Sequence, residues 1–217
     1  MRTIVFAALA TLILVFAGRD ASAQAVGGVV GVSNQAAGES DLPYLGRGFG
    51  GTAIAVIATI DRDLKRHLSI GGEVSTAGPI SGDQSQRTSS ATNAFVSHHR
   101  DTVISATAKF FVPIGGRLRV AAAGGGGGAY RRTSREGTTA SLFPPASRSP
   151  FSETVSNFVL SFTVGADVSF KLAERLSVLA VYRHHQMRDD DRDDAGVVRR
   201  GVSSKVDRAA LGAQWHF

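Results

Sequence analysis

Residues 157–171 read NFVLSFTVGADVSFK. Phe158, Leu160, Phe162, Val164, Ala166, Val168 and Phe170 share one parity. Asn157, Ser161, Thr163, Gly165, Asp167, Ser169 and Lys171 share the other, with Val159 the one exception. Alternation with period two places the two sets on opposite faces of a β-strand. At about 3.3 Å per residue the stretch spans ~45 Å. An ordinary globular strand has about five or six residues.

The same pattern recurs outward from this stretch. Thr102 to Val112 sets Ile104, Ala106, Ala108, Phe110 and Val112 against Ser105, Thr107, Lys109 and Phe111. His67 to Ser75 sets Leu68, Ile70, Gly72 and Val74 against Ser69, Gly71, Glu73 and Ser75. Val206 to Phe217 sets Ala209, Leu211, Ala213, Trp215 and Phe217 against Arg208, Ala210, Gly212, Gln214 and His216. Leu176 to Gln186 alternates less cleanly, because Leu179 and Val181 fall on its polar parity. Leu118 to Arg131 holds the Gly124–Gly128 run, and Ala25 to Ser33 and Phe49 to Ile60 are strands of uncertain phase.

Eight strands result, and their connections alternate in length. Asp61–Arg66, Pro113–Arg117 and Lys171–Arg175 read as tight turns. Asn34–Arg47, Ile80–His99, Arg132–Val155 and Met187–Lys205 read as long polar loops. Short turns at one end and long loops at the other are the layout of a transmembrane β-barrel with an apolar exterior and a polar lumen. Lipid cannot satisfy a free sheet edge, so a spanning sheet must close on itself. The expected fold is all-β: an eight-stranded antiparallel up-and-down transmembrane β-barrel. Phe110, Phe111, Phe170, Trp215 and Phe217 near the turn end, and Tyr130, Phe158 and Tyr182 near the loop end, are placed where interfacial aromatic girdles belong.

Met1-Arg2-Thr3, the apolar run Ile4 to Phe16 and the small-residue site Ala21-Ser22-Ala23 form a secretory signal peptide over residues 1–23. The barrel domain is then 24–217. The chain has 217 residues, no Cys, 24 Lys+Arg against 18 Asp+Glu, and a net charge of +6. Zero Cys excludes a disulfide scaffold, a thiolate metal site and a Cys nucleophile. A charged fraction of 19% is too low for a disordered or nucleic-acid-coating chain, and a mean hydropathy of +0.03 is too low for a bundle of membrane helices. Twenty-five glycines exceed the usual ~7% without a collagen period.

The chain ends Ala213-Gln214-Trp215-His216-Phe217, an alternating strand with a terminal aromatic. In this it resembles the Gly-rich eight-stranded outer-membrane β-barrel proteins that include the OmpA transmembrane domain and the opacity proteins. The resemblance covers the mature chain as architecture and is specific at the signal peptide and the last dozen residues. It implies export to the outer membrane of a Gram-negative bacterium, a monomer, and recognition of the last strand and Phe217 by the barrel-assembly machinery. The other expected partners are outer-membrane lipid and lipopolysaccharide.

If the apolar faces meet lipid, the lumen receives Glu73, Lys109, Arg119, Asp167, Arg183 and Arg208. It also receives Ser105, Thr107, Ser161, Thr163, Ser177 and Gln214. Eight strands leave an interior just wide enough for side chains, so these groups form a salt-bridged plug or, alternatively, a small gated channel. Glu73 is expected to pair with Lys109 or Arg183.

No catalytic, cofactor or metal set is expected. The Tyr182-Arg183-His184-His185-Gln186 segment departs from the His-x-Ser pattern of lipid A deacylases, because Gln186 and Met187 follow His185. Ser203 and Ser204 lie in the next loop, and adjacent His184 and His185 point to opposite faces. His98-His99 lacks a second ligand pair, and Asp189–Asp194 lacks the spacing of a calcium loop. Gly124–Gly128 has no following Lys-Ser/Thr and is not a phosphate loop, and Pro144-Pro145 and Pro150 mark an irregular third loop. Arg87, Arg100, Arg131, Arg132, Arg135, Arg148, Arg199 and Arg200 lie in or beside the outer loops. Guanidinium groups there suit the phosphates of an outer leaflet, and nucleic acid is not an expected partner. The expected function is a non-enzymatic structural and surface-contact role through four outer loops and a closed polar lumen. Two alternatives stand beside it: a lipid A-modifying enzyme, and a soluble periplasmic ligand-binding barrel with its faces reversed.

Overall fold

The computed structural model describes residues 24–35, 50–87, 90–143, 147–188, 192–194, 197–199 and 203–217. The expected signal peptide at 1–23, residues 36–47 of the expected first loop, Pro144-Pro145 and Asp189–Asp191 lie outside the described residues. Among the described residues eleven strands appear in chain order: β1 (Gln24–Gln35), β2 (Gly51–Lys65), β3 (Leu68–Ala77), β4 (Ile80–Arg87), β5 (Ala91–Ile114), β6 (Leu118–Ser141), β7 (Arg148–Lys171), β8 (Leu176–Arg188), β9 (Arg192–Asp194), β10 (Val197–Arg199) and β11 (Ser203–His216). No described residue is helical.

Eight of these strands close into one antiparallel ring, β1-β2-β3-β5-β6-β7-β8-β11 and back to β1. The closing pair runs from Ala25 opposite His216 to Gln35 opposite Val206. β4 continues the place of β3 beside β5. The interruption is Gly78-Pro79: Pro has no N–H to give to the ladder, and Gly78 N donates to Ile54 O of β2 at 2.7 Å instead. β9 and β10 form a small hairpin in the last loop.

The ring is staggered. Its register passes from Ala25 through Asp61, Gly71, Thr107, Gly125, Thr163, His185 and Val206 and returns to β1 at Gln35. A sheet that climbs as it closes has strands tilted to the barrel axis.

Alternation is resolved as expected, apolar outward. Val30, Ile54, Phe110, Phe158, Phe162 and Leu211 are each more than half exposed on the outside, while Glu73, Lys109, Asp167, Arg183 and Arg208 are buried within. The reversed orientation of a soluble barrel is thereby overturned. No helix among the described residues is long and apolar enough to cross a membrane; here the strands do so.

Two boundaries differ from the sequence expectation. The turn at Asp61–Arg66 shrinks to Arg66-His67, because β2 stays paired with β3 as far as Lys65, through a bulge between Asp63 and Lys65. The loops Ile80–His99 and Arg132–Val155 are mostly strand, since β5, β6 and β7 each run 24 residues and stay paired beyond the apolar belt. The short turn after β5 relies on Gly115, whose φ of 67° is left-handed and open to Gly without steric cost.

Candidate functional site

The lumen is filled in layers, and β8 crosses all of them. Its inward residues, ascending, are Ser177, Leu179, Val181, Arg183, His185 and Met187, all buried. Leu179 and Val181, off-pattern in the sequence, pack with Val29, Ile57 and Ala210 in a luminal apolar cluster. Met187 joins Val103, Ala129, Val159 and Val206 in a second one nearer the loops. An inward apolar residue breaks the alternation but not the geometry.

The ionic layers tie opposite walls together. Arg183 Nε donates to Glu73 Oε2 at 2.7 Å, joining β8 to β3, which stands on the far side of the ring. Arg183 also donates to Asp167 on β7. Lys109 Nζ lies 2.8 Å from both Asp61 Oδ2 and Asp167 Oδ2. Arg208 on β11 donates to Asp101 on β5 and Ser75 on β3. Of the two expected partners for Glu73, then, Arg183 is the one found, and Lys109 bridges two aspartates. Asp61 and Asp101 were not foreseen as luminal. Their signal was parity, since Asp61 continues the inward row of Ile57 and Thr59 on β2.

Arg119 is not in the plug. It sits at the turn-end mouth, 3.4 Å from Asp63 and 3.8 Å over the Phe111 ring. Phe111 is 7% exposed and faces inward, so it floors the lumen and is no part of the lower girdle. Beneath it opens a recess of about 50 Å³ lined by Asp61, Asp63, Lys109, Arg119 and His216, room for a few waters.

The expected histidine and glycine features resolve simply. His98 Nδ1 lies 2.7 Å from Ser81 Oγ, and His99 Nδ1 lies 2.9 Å from Thr133 Oγ1, on opposite faces. Among the described residues no group of three or more His, Cys, Asp or Glu could hold a metal. Inside the glycine run, a Cβ on Gly127 would meet the Ile104 carbonyl, and one on Gly128 would meet the Phe158 ring. The run lets β5 and a girdle aromatic approach β6 closely.

The outer rim is basic on its lipid side. Thr102, Tyr130 and Phe158 form one cross-strand row, and two residues further out stand Arg100 and Arg132, directly opposite each other and both exposed. Arg188 on β8 and Lys205 on β11 are exposed as well. Arg131 and Arg135 have the opposite parity, and Arg135 lies 5.8 Å over the Phe95 ring. Arg148 is exposed at the tip of β7. The side chains of Arg87, Arg199 and Arg200 lie outside the described residues, as do those of Asp189–Asp194.

On β8 and β11, His184 faces outward and His185 inward, as their adjacency requires. His185 Nδ1 meets Thr163 Oγ1 at 2.9 Å. His184 Nδ1 lies 2.8 Å from Asp207 Oδ1, and Tyr182 Oη donates to the same oxygen at 2.7 Å. Sequence reasoning missed this trio, because Asp207 comes from β11, whose register against β8 neither strand encodes alone. Ser204 is 2% exposed and faces the lumen, away from His184.

A sealed ring of eight tilted strands, greasy outside and ionic within, defines a transmembrane β-barrel of the bacterial outer membrane. The chain belongs to the outer membrane protein beta-barrel domain family, which matches residues 4–217. Its fold is similar to that of Neisserial surface protein A, with a TM-score of 0.52 and 10% identity over 90% of this chain and 99% of that one. Similar too are a major outer membrane protein from Thermus thermophilus (TM-score 0.49, 17% identity, 90% and 100% covered) and Ail, the attachment invasion locus protein of Yersinia pestis (TM-score 0.46, 13% identity, 90% and 98% covered). No curated protein matches the sequence.

Proposed function

We propose that this barrel is a non-enzymatic monomer with a structural and surface-contact role, holding lipopolysaccharide through its basic outer rim. The observation that carries the reading is the Arg100–Arg132 pair, one row outside Tyr130 and Phe158. Interfacial aromatics mark the headgroup level, so two guanidinium groups stand where outer-leaflet phosphates lie. The ion-paired lumen supports a plug, and no outward serine accompanies His184 among the described side chains, which speaks against a deacylase. The last strand, closing on β1 and ending at Phe217, is the segment offered to the assembly machinery.

Two measurements test this. Lipopolysaccharide incubated with the refolded barrel is expected to keep its lipid A mass; loss of an acyl chain would make the protein an enzyme. Arg100→Gln/Arg132→Gln is expected to weaken lipopolysaccharide capture and flatten its salt dependence; capture unchanged by the double substitution would remove the rim from the account.

A further inference from the structure

The turn end of the barrel carries a surplus of cations. Residues 62–67, 113–119 and 171–175 hold seven Lys and Arg against Asp63 and Glu174. Arg119 pairs with Asp63 at the mouth, and a carboxylate on Phe217 would still leave the balance positive. Lys65, Arg66, Arg117, Lys171 and Arg175 are all exposed, and among the described residues none of the five forms an ion pair.

Backbone hydrogen bonds gather three of them into an arc. Lys171 N donates to Arg117 O at 2.8 Å, and His216 N donates to Arg175 O at 2.8 Å. The arc runs from the turn before β6, across the end of β7, to the turn before β8 and the last strand. Arg117 and Arg175 stand in turns, where no strand parity confines them. Lys171 ends β7 with luminal parity but is exposed at the mouth.

The same turn end is greasy. Leu64, Ile114 and Leu172, one beside each turn, are at least half exposed. Ile114 follows Phe110, and Leu172 follows Phe170, toward the tips. Large aliphatics exposed at three successive turns suit acyl chains and not open water, so the turns lie in the edge of the periplasmic leaflet. A basic side chain there lays its stem along hydrocarbon and sets its charge among the headgroups. A zwitterionic headgroup carries its own ammonium beside the phosphate. An anionic one brings a phosphate with no internal counter-ion, and basic residues at a membrane surface attract it. A soluble acidic polymer would meet the charge but leave the aliphatics in water.

We propose that Arg117, Lys171 and Arg175 form a periplasmic-leaflet site for anionic glycerophospholipid of the phosphatidylglycerol class. The site rests on the outer-membrane placement of the barrel and not on the lipopolysaccharide contact of the loop rim, which belongs to the other leaflet.

Trp215 can report on this site by itself. It is the chain's single tryptophan, is 46% exposed on the lipid side, and lies opposite Leu176, the neighbour of Arg175. The loop rim stands an apolar belt of about 25 Å away. The test places the mature barrel in vesicles of equal parts phosphatidylglycerol and phosphatidylcholine, with bromine on the acyl chains of one lipid or of the other. Bromine quenches a tryptophan that it touches, so the two mixtures together give the share of each lipid beside Trp215. The expected result is a preference for phosphatidylglycerol of about fivefold, the scale of one basic residue at an anionic surface, falling as salt is raised. Arg117→Gln/Lys171→Gln/Arg175→Gln is expected to bring the preference to about one. Wild-type tryptophan emission in phosphatidylcholine alone, and the heat-dependent gel shift of a folded barrel, check that this variant forms. Lys65→Gln/Arg66→Gln, on the β2–β3 turn with β1 between β2 and the last strand, is expected to keep the preference. Equal quenching by the two lipids in the wild type, a preference that survives the triple substitution, or an equal loss when only Lys65 and Arg66 are changed would each overturn the proposal. Arg100→Gln/Arg132→Gln is expected to leave the quenching of Trp215 unchanged while lowering lipopolysaccharide capture, so the two readings can fail separately.

Discussion

Two adjacent strands, β7 and β8, lie in the same ring and cross the same membrane, yet only β7 alternates cleanly. Both obey one geometry: odd-numbered residues face the lumen and even-numbered residues face lipid. They differ in what each face touches. The inward side of β7 is serine, threonine, glycine and aspartate from Ser161 to Ser169, with only Val159 beyond them in an apolar cluster, and its outward side meets hydrocarbon for seven successive positions. The inward side of β8 crosses an apolar cluster, an ionic layer and a second apolar cluster. Its outward side turns polar at His184, opposite Val164. Alternation in a sequence thus reports two environments, each uniform along the strand. Where either environment is layered the pattern dissolves although the strand remains.

The largest expected effect breaks β8 at its ionic layer. Arg183 is fully buried and holds Glu73 and Asp167 from opposite sides. Arg183→Met leaves buried Glu73 without its cation and Asp167 with Lys109 alone, and removing one partner of such a pair costs about 3–5 kcal/mol. Urea unfolding in lipid vesicles should show that loss, and adding Glu73→Gln should return part of it. An unchanged midpoint would mean that the lumen is wet enough to solvate the acids.

Next in size is a test of the outward faces. Val164→Arg puts a charge at the centre of the apolar row on β7 and is expected to cost about 2–4 kcal/mol. His184→Arg, in register with it, keeps Asp207 as a partner and lies on the polar side of the border, so roughly 1 kcal/mol or less is expected. Equal costs at the two positions would show that β8 lies against the same hydrocarbon as β7, and the comparison would collapse.

The same contrast explains what could be read from the sequence. β7, β5 and β11 were legible because both faces are uniform, and Glu73, Lys109, Asp167, Arg183 and Arg208 followed from their parity. The partnership of Glu73 with Arg183 spans 110 residues and the full width of the ring, so parity could only narrow it to two candidates. Asp61 and Asp101 escaped because charge clusters read as turns and loops when the strand carrying them continues. The outer halves of β5, β6 and β7 carry polar residues on both faces, and a strand of one polarity carries no period-two signal. The Tyr182–Asp207 contact needs the register of β8 against β11, which no single strand encodes.

On its other side, β7 is sharpened through β6. Gly127→Ala would press a methyl group against the Ile104 carbonyl of β5, while Gly124, in register with Val164, has open space at its Cβ. Overpacking of this kind costs about 1–3 kcal/mol, so Gly127→Ala should lower stability and Gly124→Ala should not. Loss at both would assign the run to backbone entropy and not to close approach.

The smallest expected effect separates the two faces of β8 itself. Leu179 is 2% exposed in the luminal cluster, and its neighbour Val178 faces outward opposite Phe170. Leu179→Val removes one methylene from a space that only protein can fill, a loss of about 1 kcal/mol. Val178→Ala removes two carbons from a surface that acyl chains refill, since lipid tails are as apolar as the side chain they replace. Its expected cost is well under half that of Leu179→Val, although more is deleted. Paired unfolding curves in one lipid would decide it. The reverse order would mean that the lumen yields and the lipid contact does not, and the packed core of this barrel would have to be sought on its outside.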